Sequence, residues 1–319
     1  MNVPWKKLRY RLEHIGLVFA AWLVPFFPRP LVVAVAKVSG VVASWLDRRG
    51  RRIACENLDC VFGHNYSPAE KSHIIRHSYQ HFAQTMLDLM WSPRLTAQNF
   101  LRYIDLQKFP ELAPNQSAIV ACYHYSNFEW LSLGCGFEGR TGTILVQEFK
   151  NPLLDPIFRG WREQAGHIVT ARRGGILRLF KTLRRGGTAA LLVDLTVFPG
   201  PAAVAIRCFG LQTSVTSAHA WLQRRSGAAL VPAHCEPLPR GRYRVVFHRP
   251  IELGPEATVR EIAQACWDSF EPVVRANPGP WLWMYKHWRY RPENPDRPYP
   301  DYSGVNGKFD RMLVEKLSC

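Results

Sequence analysis

Two residues in the stretch ACYHYSNFEW (121–130) have the types and spacing for proton transfer: His124 and, five positions on, Glu129. A carboxylate on one imidazole nitrogen fixes the tautomer, and the other nitrogen can then take a proton from a hydroxyl. The spacing constrains the backbone. On one continuous helix, i and i+5 lie about 140° apart, and on a strand they point to opposite faces. The two meet only if His124 ends a strand and Glu129 falls in the first turn of the next helix. The same letters permit a structural reading: Ser126-x-x-Glu129 is a capping-box pattern, in which Glu129 serves Ser126 and His124 is a core histidine. Spacing alone leaves both open.

The elements needed to position such a pair are present. The apolar run Ser117–Cys122 reads as a strand and NFEWLSLGCGF as a helix, with Ser126 and Asn127 as cap residues between them. GTILVQE, HIVTA and TAALLVDL read as further strands. They alternate with the helical NPLLDPIFRGWREQAG and GILRLFKTLRRG. This alternation predicts an α/β fold with a mainly parallel sheet flanked by helices. Ligand crevices form at the C-terminal strand ends of such sheets, which is where His124 falls. GAALVPAHCE and RYRVVFHRPIEL, joined by PLPRGR, predict an antiparallel strand pair near the end. TVREIAQACWDSFEPVVRANP reads as the last long helix. Upstream, Ser67–Trp91 predicts a long amphipathic helix, with Ser67 and Glu70 as a capping box and Pro68 at the first position. His73, His77 and His81 share a face of that helix. The first and third are two turns apart, about 12 Å, so the three cannot hold one ion, and no metal or cofactor site is expected.

Composition narrows the partners. Forty-one Lys and Arg against 25 Asp and Glu give a formal charge of +16 in 319 residues, which points to an anionic lipid, an acidic protein or nucleic acid. The basic tryptophan stretch WLWMYKHWRY could suggest base stacking, but no nucleic-acid-binding pattern accompanies it, and wall packing or an interfacial belt is the expectation. Eight cysteines form no C-x-x-C pair and read as reduced thiols. The run Ile15–Phe27 is shorter than the roughly 20 residues a spanning helix needs. It is broken by Pro25, Pro28 and Pro30 and is followed by a second run, Leu31–Leu46. Residues 1–46 therefore read as two helices that lie on a membrane surface, held by Trp5, Lys6, Lys7, Arg9 and Arg11, or as a hairpin packed on the main domain. Residues 47–292 would form that domain and 293–319 an irregular tail.

Several stretches, in order over roughly residues 8–292, resemble one family. HYSNFE is similar to a His-x4-Glu motif usually written H-x-G-N-W-E, and RRGRRIACENLDCVFG to a basic helix ending in Asn-Leu and Cys-Phe. FKNPLLDPIFRGWREQAG, GGILRLFKTLRRGGTAALLVD, IRCFGLQTSVTSAHAWLQRRSGAALVPA and NPGPWLWMYKHWRY match its later segments. The family is that of the lipid A biosynthesis lauroyl and myristoyl acyltransferases. Departures are Ser126 for Gly and Phe128 for Trp inside the motif, and Leu195 where Gln usually follows Asp194. Gln147 and Glu148 replace a common arginine, and Gly279-Pro280 stands where Gln is usual.

The resemblance implies a glycerolipid-acyltransferase-like fold and an O-acyltransferase at the cytoplasmic face of a bacterial inner membrane. It would move an acyl chain from acyl-carrier protein directly to a hydroxyl of a lipid A precursor. His124 would be the general base and Glu129 its partner, with backbone N–H groups near Asn127, or Arg162, as oxyanion stabilisers. Arg162, Arg172, Arg173, Asn127 and Asp194 are candidate substrate contacts. Arg162, after the apolar IFRGW, is expected to point inward; Arg172 reads equally as a solvated basic residue, and Asp194 equally as a loop cap. Thiol nucleophilic catalysis is a minor reading, because no cysteine has an obvious partner base. The alternatives are acylation of another membrane lipid from acyl-CoA, and a basic lipid-binding protein without catalysis.

Overall fold

The computed structural model describes residues 3–314. Helices α1 (Val3–Leu23) and α2 (Arg29–Leu46) are separated at the proline cluster, and α3 (Arg48–Phe62) and α4 (Pro68–Trp91) follow. Ser67 and Glu70 form the capping box at the start of α4. Every third or fourth residue of α2, among them Val32, Ala36, Gly40 and Ser44, is buried. Gly40 lets α2 and α4 touch: a Cβ there would lie 2.4 Å from the Gln80 Cα.

The α/β part then unfolds as β1 (Ile104–Leu106), β2 (Ala118–Cys122), α5 (Phe128–Phe137), β3 (Thr143–Val146), α6 (Asp155–Glu163), β4 (Ile168–Ala171), α7 (Gly175–Arg184) and β5 (Thr188–Leu192). A hairpin, β6 (Ala203–Cys208) and β7 (Leu211–Thr216), leads to α8 (Ala218–Ser226), β8 (Ala229–Leu238) and β9 (Arg242–Phe247). After these come α9 (Val259–Asp268), α10 (Glu271–Ala276), the short β10 (Tyr290–Arg291) and β11 (Gly304–Val305), and α11 (Gly307–Val314). The main sheet has seven strands in the order β1-β9-β8-β2-β5-β3-β4. All pairings are parallel except β8 with β9. This is the mainly parallel mixed sheet that the alternating pattern predicts.

Alternation along the strands splits the core. Ile119, Ala121, Ala189 and Leu191 pack with α7, α8 and α9, whereas Val120 and Cys122 face α5. Trp281, Trp283 and Trp288 are fully buried around Phe209, so they are wall packing and not an interfacial belt. Two features depart from the sequence reading. The hairpin β6–β7 is not announced by the alternation; it turns at Phe209-Gly210, both at positive φ. The tail expected to be irregular contains α11, because Phe309 and Met312, one turn apart, bury against Ala203 and Ala205 of β6. Residues 315–319, including Cys319, lie outside the described residues.

Candidate active site

The sheet register builds the site. β2 and β5 pair in parallel with Cys122 opposite Leu192. Two residues further on, the strand ends carry His124 and Asp194 at the same level. His124 Nδ1 lies 2.8 Å from Asp194 Oδ1, and the His124 backbone N–H donates to Oδ2 at 3.0 Å. Trp281 Nε1–H donates to that same oxygen at 3.0 Å. Burial alone would raise the Asp194 carboxyl, but the His124 ring and the Trp281 N–H outweigh it and hold the group below its ordinary value. The Asp194 side chain has no exposure and that of His124 has 15%. Nε2 of His124 makes no hydrogen bond among the described residues, and the residue lines a cavity of about 1180 Å³.

Glu129 is not on the imidazole. Its two oxygens accept from Arg162, Nη2 at 2.6 Å and Nε at 3.0 Å. This corrects the expectation that Glu129 orients His124: the carboxylate on the ring belongs to Asp194, seventy positions away in sequence. Burial would lower the Arg162 guanidinium, yet the Glu129 charge and hydrogen bonds outweigh it and raise it. Both residues line the cavity beside His124. The capping-box alternative also falls, because the helix cap is Asn127. Its Oδ1 accepts from the Trp130 N–H at 3.0 Å, and the Ser126 hydroxyl has no partner among the described residues.

The turn between β2 and α5 is pinned from both sides. Ser126 adopts φ +50°, which explains why glycine is usual at this motif position. Its N–H donates to Pro280 O at 3.0 Å and its carbonyl accepts from Thr85 Oγ1 at 2.9 Å. Asn127 is fully buried, and its Nδ2 donates to Asp88 Oδ2 at 2.8 Å. Both ends of its amide are thus engaged inside the protein, so the candidate substrate contact is a positioning residue instead. Asp88 also accepts from Tyr243 Oη at 2.6 Å, from Gln84, and from both terminal nitrogens of Arg29. Burial would lower the Arg29 guanidinium, but Asp88 raises it. Sequence reading missed Asp88, Arg29 and Trp281. A signal existed for Asp88, a lone carboxylate inside the apolar stretch MLDLMW; for Arg29, between two prolines, there was little.

The helix start leaves two donors available. The backbone N–H groups of Phe128 and Glu129 have no hydrogen-bond partner among the described residues, and both residues line the cavity. From His124 the cavity runs between sheet and α5 past Val120, Leu131, Cys135 and Ala190 to Ala118 and Thr188. The stretch Ala118–Cys122 alone measures about 13 Å. Another part is lined by Leu195, Pro201, Ala218 and Trp221, with Arg172 among the lining residues. Arg172 and Arg173 are exposed, and Arg173 does not line the cavity. Cys122, Cys135, Cys208, Cys235 and Cys266 are buried, and burial raises their thiols, Cys135 and Cys266 to about 12. Thiolate nucleophiles are disfavoured there.

A family model described as bacterial lipid A biosynthesis acyltransferase matches residues 4–290. The lipid A biosynthesis lauroyltransferase of Escherichia coli is 22% identical over 292 residues, covering 89% of this chain and 94% of that protein. A lipid A biosynthesis acyltransferase of Haemophilus influenzae is 21% identical, covering 92% and 93%. A phosphatidylinositol mannoside acyltransferase of Mycobacterium tuberculosis is 28% identical over 183 residues, 56% of each chain. Among solved structures, the 1-acyl-sn-glycerophosphate acyltransferase PlsC of Thermotoga maritima matches with TM-score 0.37 and 13% identity, over 80% of this chain and 99% of that one.

Proposed function

We propose that this chain, which belongs to the bacterial lipid A biosynthesis acyltransferase family, transfers a fatty acyl chain from a carrier-protein thioester to a hydroxyl of a lipid A precursor. The observation that carries the mechanism is the His124–Asp194 pair at the cavity, with no hydrogen bond on Nε2 among the described residues. Asp194 accepts a hydrogen bond from Nδ1–H, which fixes the tautomer, so Nε2 presents its lone pair to the acceptor hydroxyl. His124 takes the hydroxyl proton as the oxygen attacks the thioester carbonyl. The C–S bond then breaks, and the thiol leaves with the proton returned from His124. The oxyanion that forms meanwhile is bound by the N–H groups of Phe128 and Glu129. Glu129 holds Arg162 in the cavity wall, where the guanidinium faces anionic parts of the substrates. The apolar arm beneath α5 receives the acyl chain.

The exposed faces of α1 and α2 support binding to a membrane surface. Leu12, Ile15, Phe19, Trp22, Val38 and Trp45 are all more than 40% exposed, and Lys6, Lys7, Arg9 and Arg11 precede or flank them. By length and composition α2 could cross a bilayer. Its Arg29, however, is locked on Asp88 and its inner stripe on α4, which favours an in-plane attachment, at the cytoplasmic face of the inner membrane. A different acceptor, such as a phosphoinositol mannoside, is the second reading; it is favoured by the Mycobacterium tuberculosis relative and by the departures at Gln147, Leu195 and Gly279.

The test is transfer by the purified protein from labelled acyl-carrier protein and acyl-CoA, with a lipid A precursor and a phosphoinositol mannoside offered as acceptors. Wild type should transfer, and His124→Ala should lose about 10²–10⁴-fold in rate. Transfer that persists at the wild-type rate in His124→Ala refutes the mechanism. Preference for the mannoside would select the second reading.

A further inference from the structure

Beside the cavity, one surface carries a block of positive charge. From Gln164 to Gly227 the chain has nine Lys and Arg residues and one carboxylate, Asp194, which is buried on His124. Six of these cations, Arg172, Arg173, Arg178, Lys181, Arg224 and Arg225, are exposed on the loop before α7, on α7 and on α8. None of the six is in an ion pair among the described residues; the flanking pairs are Arg159–Glu163 and Arg207–Asp296. The two helices meet through Phe180 and Trp221, whose rings are 6.1 Å apart. Among the charges stand two large apolar side chains, Leu177 at 58% and Trp221 at 39% exposure. Arg172, Ile176 and Trp221 also line the cavity that reaches His124, so this face and the active site are continuous.

Like charges on neighbouring helices repel one another, and an anionic partner turns that cost into attraction. The partner's size follows from the spread. α7 alone is about 15 Å long, so the cations do not converge on one small anion. Two exposed apolar side chains ringed by charge have the anatomy of a protein interface, with an aromatic anchor inside a polar rim. The apolar faces suited to a bilayer lie on other elements, α1 and α2. We propose that the α7–α8 face docks an acidic protein, the carrier that presents the acyl thioester, so that its arm enters the cavity past Arg172 and Trp221. This inference rests on the acyl-transfer reading above.

The experiment uses the full-length protein and a quadruple variant, Arg178→Glu, Lys181→Glu, Arg224→Glu and Arg225→Glu. Each is given lauroyl-carrier protein or, separately, a lauroyl thioester of N-acetylcysteamine, and binding of the lauroyl-carrier protein is measured directly. Charges at an interface rim act on association rate and its salt dependence. The variant should therefore lose about 10²-fold in kcat/KM with the carrier protein and keep the wild-type value with the small thioester. Wild-type kcat/KM with the carrier should fall as salt rises, and the variant's should be flat. Equal losses with both donors overturn the proposal. So does unchanged carrier binding, or a variant whose only defect is lost co-sedimentation with anionic vesicles, which would assign the face to the membrane. If wild type binds the carrier through this face but transfers nothing from either donor, the docking surface stands and the acyl-transfer reading is what fails.

Discussion

Asp88 and Asp194 are both buried carboxylates, and each holds one end of the turn that carries the His-x4-Glu motif. They differ in their partners. Asp88 is saturated by a permanent cation, Arg29, and by Gln84, Asn127 and Tyr243. A carboxylate so paired anchors structure. Asp194 has two N–H donors and one titratable ring, and that ring opens on the cavity. Its charge becomes most valuable when His124 takes a proton. The same side chain thus builds a scaffold or supports a base, according to whether its counter-charge is fixed or comes and goes.

Breaking each carboxylate should separate the two roles. The largest effect expected is Asp194→Asn: a fall in transfer rate of about 10²–10⁴-fold, with the urea midpoint little changed, because the amide still fits between His124 and Trp281. Asp88→Ala should invert the pattern. It strands the Arg29 charge in the core and should cost about 3–5 kcal/mol of stability, read by urea unfolding, while molecules that remain folded keep most of their activity. The paired change Arg29→Met with Asp88→Leu should recover much of that loss.

His219 sharpens the contrast as a buried group with no hydrogen-bond partner among the described residues. Both of its ring nitrogens are unsatisfied, and burial pushes it down to about 4. Its folded value lies below the unfolded 6.5, so the unfolded chain binds the proton first. Stability from the neutral ring is complete above pH 6.5 and declines as pH falls toward 4. His219→Leu should gain about 1–2 kcal/mol and make that decline shallower in urea melts run across the pH range. The smallest effect belongs to the motif's own backbone. Ser126→Gly removes the strain of φ +50° and should raise stability by about 1 kcal/mol without changing kcat.

Much of this was legible beforehand because it is local. The Ser67–Glu70 capping box, the break at Pro25–Pro30, the strand that ends before His124 and the helix that starts after Asn127 are set by neighbours within a few residues. Periodicity in each run then announced the mainly parallel sheet. What the letters near His124 could not reveal is which carboxylate meets its ring. Glu129 is close in sequence, but α5 turns it toward Arg162 on α6. Asp194 reaches the ring only because β2 and β5 are neighbours with Cys122 opposite Leu192. The two faces of these strands bury against α7 on one side and α5 on the other, so a register slip would expose the core, and the pairing is a property of the folded structure. Asp88 follows the same rule, since its partners on α2, at the cap of α5 and on β9 come together only when those elements pack. The elements and the candidate base His124 were therefore legible in the sequence, whereas the identity of the partner carboxylates was decided by contacts between residues far apart in the chain.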